Sequence, residues 1–373
     1  MKIIHTGVSR RLTEGQRYQL KAEAKAISEI DDIEWDILFW HCGEIREPFE
    51  RKVPFPFRGI VGRKFFEWLH LLHIGKKYDI VLQRRQPFDP FGIFFGWFLK
   101  NRYTIHHAKE IYELRLIDRG VAGRVASLTE IVSGWINARQ VVGFVGVTRE
   151  ISRYQNEINH TSKPELFYPN GVDYDDTSPV PDKRGDGIEV VMISGRFSEW
   201  VGLDILLDSV ASADRKTIEK AKLKIHLIGS LDTERRERIS SIDPEGKTII
   251  VHGYMDSRSY REIVSRCDLG IATLALFRQG LAEGSTLKVR DYLSSGLAVY
   301  SGHIDASLPE DFPYFHKDES FEIHKVISFA RKMKRVSRED IASESRRYLD
   351  KREIVRNFIA QLRETDEKST GED

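Results

Sequence analysis

The sequence predicts an α/β fold of two doubly wound domains, each a parallel sheet with helices on both faces. Three observations predict it. The chain has 373 residues, which suits two domains of ordinary size. Short runs rich in β-branched and aromatic residues alternate with longer segments of helical spacing. The alternation stops in a Pro/Asp/Gly-rich stretch, residues 171–187, and then starts again, which is typical of a hinge or linker.

In the first half, five runs are expected to form strands: 2–5, 35–40, 80–83, 103–106 and 141–147. Residues 13–30 have helical spacing and open with a possible capping box, Thr13 to Gln16. The most apolar run, 90–99, is about half of the ~20 residues that cross a bilayer, and we expect it to form a buried helix. These elements make an N-terminal domain of residues 1–170.

In the second half, strands are expected at 188–194, 223–229, 248–251, 269–273 and 297–300, with helices at 203–213, 257–266 and 287–294. They make a second domain of residues 188–345. Residues 346–373 are expected to form a helix that returns toward the first domain and ends in a disordered polar tail from 365. Because ligands bind at the carboxyl ends of parallel strands, the site is expected in a central cleft that both sheets face.

Composition and charge narrow the class of protein. Hydrophobic residues make up 40% and charged residues 31%, and the net charge is +1, as in soluble globular proteins. The opening MKIIHTG lacks the long apolar stretch of a secretory signal, which predicts a cytoplasmic protein. Scattered basic residues in a nearly neutral chain argue against nucleic-acid binding.

One segment, 46–77, has eight basic and three acidic residues among aromatic residues that include Phe55, Phe57, Phe65, Phe66 and Trp68. Such a mixture suits peripheral contact with an anionic membrane surface, which would place the protein on the inner face of the membrane. An ordinary amphipathic helix with a solvated face is the alternative, and we favour it slightly.

No cofactor or metal ion is expected. The two cysteines, Cys42 and Cys267, have no metal-ligand spacing, and the nearest D-x-D, Asp173 to Asp175, lies in the linker. Motifs for nucleotide hydrolysis, dinucleotide binding and ester hydrolysis are missing from the sequence.

The segment with the clearest chemistry follows the strand at 269–273. Glu283 and Asp291 are separated by seven residues, and Glu283 is expected in a loop. Ser285 or Thr286 is a natural N-cap for a helix that begins near Leu287. The free N–H groups and the dipole at such a helix start suit a diphosphate.

Lys288 and Asp291 are three residues apart and therefore on one helix face. A cation for phosphate and a carboxylate for ribose hydroxyls would then point the same way. The alternative is a capped helix with a local ion pair between Lys288 and Asp291, and with Glu283 as an ordinary loop charge.

The pattern E-x7-D followed by YLSSGLAV resembles the E-x7-E signature of retaining glycosyltransferases of family 4, which have the GT-B fold. Three more segments agree in order: YPNGVD with the hinge, GRFSEWVGLDILLDSV with the glycine-arginine loop, and VHGYMDSRSYREIVSRCDLGIATL with the base-binding segment. The resemblance spans roughly residues 1–350. It departs from the family at Val201, where a lysine is usual, and at Asp291, where glutamate is usual.

The resemblance implies metal-independent transfer of a sugar from a nucleoside diphosphate sugar to a hydroxyl of a glycan or lipid-linked acceptor, with retention, in polysaccharide or glycoconjugate biosynthesis. Glu283 would contact the transferred sugar, Asp291 the ribose, and Arg196 and Lys288 the diphosphate. The donor-binding candidates are Gly195, Arg196, Gly253, Tyr254, Ser285, Thr286, Leu287, Lys288 and Asp291, with Gly15 added because a glycine in the loop after the first strand lets backbone approach the diphosphate.

In the first half, His106, His107 and Glu110 follow the strand at 103–106. The resemblance implies that one histidine lies near the reacting sugar, where it can bind a hydroxyl or orient the acceptor, with Glu110 on the acceptor side. The alternative is that one histidine packs under the strand end. The residues do not choose between His106 and His107.

Two rival functions remain at this point. A GT-B epimerase would act on the sugar nucleotide itself. A catalytically inactive partner would bind sugar nucleotides within an assembly complex, and the departures at Val201 and Asp291 keep that reading open.

Overall fold

The computed structural model describes residues 1–87, 89–117 and 120–370 and contains two α/β units. Unit 1 consists of Met1–Gly171 and the C-terminal residues from Lys351, and unit 2 is Val172–Asp350. Among the described residues, no helix combines the length and the apolar character that crossing a membrane requires.

Unit 1 contains a seven-stranded sheet in which every pair is parallel. Its strands are β1 (Lys2–Ser9), β2 (Glu34–His41), β3 (Glu50–Lys52), β4 (Ile80–Arg84), β5 (Arg102–His106), β6 (Gly143–Gly146) and β7 (Glu165–Phe167). The order β3-β2-β1-β4-β5-β6-β7 reverses the direction of sheet growth between β1 and β4. The five strands expected in this half are confirmed, and β3 and β7 are short edge strands that the sequence did not reveal.

The helices of this part of the chain are α1 (Glu14–Ser28), α2 (Ile60–Ile74), α3 (Gly92–Phe95), α4 (Glu110–Ile117), α5 (Val121–Arg139) and α6 (Arg149–Asn159). The capping box is confirmed: Thr13 Oγ1 accepts from the Gln16 N–H at 3.2 Å, and the Gln16 side chain accepts from the Thr13 N–H at 2.9 Å.

The expectation of a buried helix over 90–99 is wrong. The segment contains only α3 and a 3-10 turn at Gly96–Phe98, and Phe94, Trp97 and Phe98 are exposed. Gly92 and Gly96 face inward instead, where an added Cβ would collide with the side-chain oxygens of Asn137 and Gln140. The glycines therefore take the packed positions and the rings are left outside.

Unit 2 contains a six-stranded parallel sheet and a two-stranded one. Its strands are β8 (Glu189–Arg196), β9 (Lys224–Ser230), β10 (Ile249–Gly253), β11 (Leu269–Ile271), β12 (Glu283–Gly284), β13 (Ala298–Ser301), β14 (Ile304–Asp305) and β15 (Phe315–Lys317), and its helices are α7 (Leu203–Ser212), α8 (Arg215–Ala221), α9 (Thr233–Ile242), α10 (Ser257–Arg266), α11 (Leu287–Ser294), α12 (Ile323–Met333) and α13 (Arg338–Leu349). The large sheet has the order β10-β9-β8-β11-β13-β15, with β12 pairing β14. The predicted bounds of α10 and α11 match the structure.

The connection and the C-terminus complete the two units. Residues 173–187 form no helix or strand, and Val172 and Val180 pack into the core of unit 2. The last helix, α14 (Lys351–Thr370), packs on α1 in unit 1. The predicted disorder from residue 365 is wrong as far as Thr370, since α14 continues to that residue, and residues 371–373 lie outside the described part.

Candidate functional site

The donor-binding candidates of unit 2 lie at the carboxyl edge of its large sheet. Sheet growth reverses between β8 and β11, which is where a doubly wound sheet leaves a crevice for ligands. Gly195 and Arg196 end β8, and the loop after β11 leads to Glu283 and α11. The topology therefore brings the two strongest motifs of the sequence to the same end of adjacent strands.

The helices that follow these two loops differ from their neighbours in capping. The N-caps of α7 and α11, Gly202 and Thr286, make no side-chain cap hydrogen bond, and α12 also lacks one. Side chains do cap α8, α9, α10 and α13, through Asp214, Asp232, Asp256 and Ser337. Within the described residues, the N-caps of α7 and α11 therefore satisfy none of the first N–H groups of these helices with a side chain. The Thr286 Oγ1 is buried and has no hydrogen-bond partner in the part of the chain that the structure describes.

Lys288 lies in the first turn of α11 and is partly buried. Burial lowers the pKa of its amine to about 8, and no charged neighbour offsets that shift. Within the described part of the chain, no hydrogen bond or ion pair joins this amine to another side chain, so the local pair with Asp291 does not form. The first turn of α11 therefore holds a cation that no carboxylate neutralises.

Asp291 accepts a hydrogen bond instead from the Tyr260 hydroxyl of α10, with 2.9 Å between the oxygens. Burial raises the pKa of the Asp291 carboxyl despite this bond. Tyr260 is 31 positions earlier in the chain, and nothing in the sequence pattern indicated that it holds Asp291. The carboxylate is thereby fixed in direction.

Glu283 lies in a short strand, so the expectation of a loop is wrong. It pairs with Ile304 in β14, and the next residue, Gly284, pairs with Asp305. Asp305 forms a buried ion pair with Arg290 of α11, and Arg290 also donates to Ser307 Oγ at 2.7 Å. The strand that holds Glu283 and the helix that holds Lys288 are therefore joined to the same strand, β14.

His303 packs against this short strand. Its Nδ1 donates to the Thr273 carbonyl at 2.9 Å, and its buried Nε2 has no hydrogen-bond partner among the residues described. Burial lowers the pKa of His303, so the ring stays neutral. A Cβ on Gly284 would lie 2.4 Å from the His303 ring, which requires glycine at the position after Glu283.

The remaining donor candidates differ in exposure. Arg196, Gly195 and Tyr254 are exposed, and a Cβ on Gly195 would meet nothing within 4 Å. Gly253 ends β10 with a φ of +75°, a conformation that favours glycine. Leu287 is the first residue of α11 and is partly buried, and Ser285 is buried beside it.

Val201 occupies the place where the family resemblance expects a lysine. It is 3% exposed and belongs to the core of unit 2. A nearby cation that the sequence reasoning missed is Arg278, which pairs with Asp204 of α7 at 2.6 Å. Arg278 also donates to the Glu199 carbonyl at 2.7 Å, so it holds the loop after β11 to the start of α7.

In unit 1 the structure distinguishes the two histidines. His106 is buried at the end of β5, donates from Nδ1 to Glu110 at 2.5 Å and lies 3.0 Å from Thr104 Oγ1. Glu110 accepts a second hydrogen bond from Gln155 at 2.8 Å. Although burial opposes it, the neighbouring His106 lowers the pKa of Glu110. The side chains of His106 and Glu110 therefore already have hydrogen-bond partners within unit 1.

His107 has a different environment. It is partly exposed, and its Nε2 accepts from Arg84 Nη1 at 3.0 Å. Burial of the ring nitrogens, followed by the charge of Arg84, holds the pKa of His107 well below its ordinary value. Of the two histidines, His107 is the one with an exposed surface, and it is neutral.

Gly15 does not lie in the loop after the first strand, so that expectation is wrong. It is the second residue of α1, because the capping box at Thr13 starts the helix earlier.

The D-x-D sequence of the connection, Asp173 to Asp175, has an ion pair of its own, since Asp175 pairs with Arg346 at 3.3 Å. Among the described residues, no group of three His, Cys, Asp or Glu side chains is placed to hold a metal ion.

Comparison with solved structures shows which fold the chain has. It superposes on the apo form of the lipopolysaccharide outer core galactosyltransferase WaaB with a TM-score of 0.65 and 11% identity, over 97% of this chain and 100% of that one. A glycosyltransferase from Rickettsia africae gives 0.64 and 13%, over 98% of each chain. HepE from Anabaena, solved in complex with UDP and glucose, gives 0.61 and 13%, over 97% and 99%.

No family model matches the sequence, and no curated protein matches it either. At 11–13% identity the likeness establishes the fold, not the activity. The chain therefore has the GT-B fold, with two Rossmann-like parallel-sheet units, and its structural neighbours are glycosyltransferases.

Proposed function

We propose that this chain is a retaining glycosyltransferase, similar to family 4, that transfers a sugar from a nucleoside diphosphate sugar to a hydroxyl of a glycan or lipid-linked acceptor. The observation that carries the proposal is the start of α11. There, the N-cap Thr286 makes no side-chain cap hydrogen bond, and among the described residues neither the Thr286 hydroxyl nor the Lys288 amine has a hydrogen-bond partner. Both residues follow Glu283 within five positions. Each of these groups suits an anionic, oxygen-rich ligand.

The chemistry follows from charge. Breaking the bond between the anomeric carbon and the phosphate leaves negative charge on the diphosphate. Lys288 and Arg196 supply positive charge for it, and the N–H groups of α11 add fixed dipoles. Because these groups neutralise the leaving group, the proposed reaction needs no metal ion.

The other residues have proposed roles in recognition. Glu283 binds hydroxyls of the transferred sugar, and Asp291, held by Tyr260, binds the ribose. The open space in front of Gly195 lets the diphosphate approach the backbone. In unit 1, we assign the sugar or acceptor contact to His107 rather than His106, because His106 is already engaged by Glu110.

The biological setting is proposed from the neighbours' names. WaaB is a lipopolysaccharide galactosyltransferase, which fits a role for this chain in polysaccharide or glycoconjugate biosynthesis. HepE binds UDP and glucose, which makes UDP the first nucleotide to test.

The donor site is tested by binding. The thermal midpoint of the protein is measured with UDP, GDP, ADP and CMP, and one diphosphate should raise it, since a ligand that binds only the native state stabilises it. The same measurement on Lys288→Met should show a reduced shift. If no nucleotide changes the midpoint of the wild type, the donor site is wrongly assigned.

Transfer is tested with Glu283→Ala and a matched control, Glu237→Ala, which removes an exposed carboxylate on α9. Glu283→Ala should lose most transfer activity and fold normally, whereas Glu237→Ala should keep it. Activity should also persist in a chelator, and the product should keep the anomeric configuration of the donor by NMR. Nucleotide binding without turnover would favour the inactive partner, and conversion of the donor sugar itself would favour the epimerase.

A further inference from the structure

Two histidines on neighbouring strands of unit 2 are hydrogen-bonded ring to ring. His226 lies in β9 and His252 in β10, with 2.9 Å between His226 Nδ1 and His252 Nε2. The other ring nitrogen of His226 lies 3.0 Å from an oxygen of Glu189, the first residue of β8. Because β10, β9 and β8 are adjacent in the sheet, the three side chains form one continuous chain of hydrogen bonds across it, which we call the histidine chain.

The position of each proton in the histidine chain follows from Glu189. Although burial opposes it, hydrogen bonds from His226 and Lys224 lower the pKa of the Glu189 carboxyl, so this group is an ionised acceptor. His226 Nε2 therefore donates to it. Burial lowers the pKa of His226, so the ring is neutral and its Nδ1 has no proton. That nitrogen must accept, and His252 Nε2 is the donor.

The last member of the histidine chain occupies an irregular position in the sheet. Val251 pairs with Leu227 and Gly253 pairs with Ile228, so two steps along β10 match one step along β9. His252 is the extra residue, and the irregularity is a β-bulge. A bulge redirects the backbone that follows it, and the side chain of this bulged residue is held by its hydrogen bond to β9.

The turn that follows the bulge belongs to the donor-binding candidates. Gly253 ends β10 with a φ of +75°, and the next residue, Tyr254, is 69% exposed. Both lie in the segment that the sequence resemblance assigns to the base of the donor. His226 is 3% exposed, so any effect that it has on a nucleotide must pass through His252.

We propose that the histidine chain positions the turn at Gly253 and Tyr254 for the base of the nucleotide, and that a second proton on His226 releases the turn. The members of the chain are positioning residues, since they act through the bulge rather than by touching the ligand. The inference deepens the proposed function and rests on it, because it takes the donor site to include this turn.

A second proton breaks the histidine chain at its centre. On His226 Nδ1 it would face the N–H of His252 across 2.9 Å, and two donors repel each other. Burial is the main reason that the pKa of His226 is lowered, and Glu189 offsets part of the shift. Arg266, at the end of α10, adds to the effect of burial on the pKa of both rings, and Lys224 donates to Glu189. The release is therefore expected below the ordinary histidine pKa of 6.5.

The histidine chain is tested first without a nucleotide. Long-range proton–nitrogen NMR spectra of the full chain at pH 7 should show both rings neutral, each with its proton on Nε2. Spectra of His226→Gln and His252→Leu assign the signals. In His252→Leu the amides of Gly253 and Tyr254 should exchange with solvent at least about fivefold faster than in the wild type, because the bulge is no longer held.

Calorimetry with UDP, or with whichever diphosphate binds, tests the positioning role. His252→Leu removes the donor to His226 and should bind about fivefold more weakly at pH 7. His252→Gln supplies a new donor and should recover part of that loss. The matched control is His324→Leu, which removes an exposed histidine of α12 in the same unit and should bind like the wild type. Thermal midpoints check that each variant is folded.

The release is tested by pH. The amide of His226→Gln can accept from His252 and donate to Glu189, but it takes up no proton. Between pH 7 and pH 5 the wild type should therefore lose at least about threefold more affinity than this variant, and the loss should follow the protonation of His226 in the NMR spectra. The terminal phosphate of the nucleotide also takes up a proton in this range, equally for both proteins. Lys288, with a pKa of about 8, stays charged throughout.

Three results would overturn the proposal. The first is a proton on His226 Nδ1 at pH 7. The second is a His252→Leu variant that keeps both the wild-type affinity and the wild-type amide exchange. The third is the same pH dependence in the wild type and in His226→Gln. A wild type that binds no nucleotide would refute the proposed function instead, and the exchange of the Gly253 amide would still decide whether the histidine chain holds the turn.

Discussion

Nucleotide binding should depend on pH through Lys288. Burial lowers the pKa of this lysine to about 8, so its charge is lost in a range where exposed lysines keep theirs. A bound diphosphate favours the charged amine. The affinity for UDP, or for whichever diphosphate binds, should therefore fall as the pH rises through 8.

The size of the effect follows from that value. With a pKa of about 8, roughly a tenth of the Lys288 amines remain charged at pH 9, so a diphosphate that binds only the charged form should bind about tenfold more weakly than at pH 7. Isothermal titration calorimetry in buffers of different ionisation enthalpy should also detect proton uptake on binding at pH 8–9.

Two substitutions of Lys288 test whether its charge causes this pH dependence. Lys288→Arg keeps its charge across this range, so its affinity should vary little between pH 7 and pH 9. Lys288→Met should bind weakly at both. The reasoning would be refuted if Lys288→Met binds nucleotide weakly but the affinity of the wild type stays constant between pH 7 and pH 9. Burial would then not have lowered the pKa of Lys288 into this range.

The same shift has a consequence for stability. The unfolded chain holds the Lys288 proton up to its ordinary pKa of 10.5, whereas the native chain releases it near 8. The buried charge of Lys288 therefore lowers the free energy of unfolding by its full amount below pH 8. This destabilisation decreases as the pH rises toward 10.5. At pH 7 without nucleotide, Lys288→Met should be more stable than the wild type by about 1–3 kcal/mol.

Two further predictions concern the residues that support the site. Tyr260→Phe removes the only hydrogen bond that the described residues make to the Asp291 carboxylate, and nucleotide affinity by calorimetry should fall about five- to tenfold. Unchanged affinity would show that Tyr260 does not orient the carboxylate. Gly284→Ala places a Cβ 2.4 Å from the His303 ring and should lower stability by about 1–3 kcal/mol in thermal unfolding, whereas Gly195→Ala, whose Cβ meets open space, should not. Equal stability of the two alanine variants would contradict this packing argument.

The regular parts of the fold could be predicted from local patterns. Strands buried on both faces leave continuous β-branched runs. Helical spacing alone predicted the bounds of α10, and helical spacing with a natural N-cap predicted those of α11. The same reasoning gave a wrong prediction for the segment at 90–99. Its apolar composition indicated burial, but the packed positions belong to Gly92 and Gly96, and composition does not show which side of a short turn faces inward.

The candidate site shows the same limit. Glu283, Lys288 and Asp291 could be chosen because their spacing is local. The residues that hold them in place could not be predicted in this way. Tyr260 binds Asp291 from another helix, and the two-residue strand β14 joins Glu283 to α11. Contacts between positions far apart in the chain leave no periodic signal in one sequence.

The position of helix α14 at the end of the chain determines when the core of unit 1 can be completed during synthesis. Its Val355, Phe358 and Leu362 are buried in the core of unit 1, yet the ribosome makes them after all of unit 2. At about 5–20 residues per second, the nascent first 171 residues wait roughly 10–40 s for the helix that closes their core. Unit 2 is continuous and can finish first. The N-terminal half is therefore the last to become native, and it is the half that chaperones and proteases can reach while translation continues.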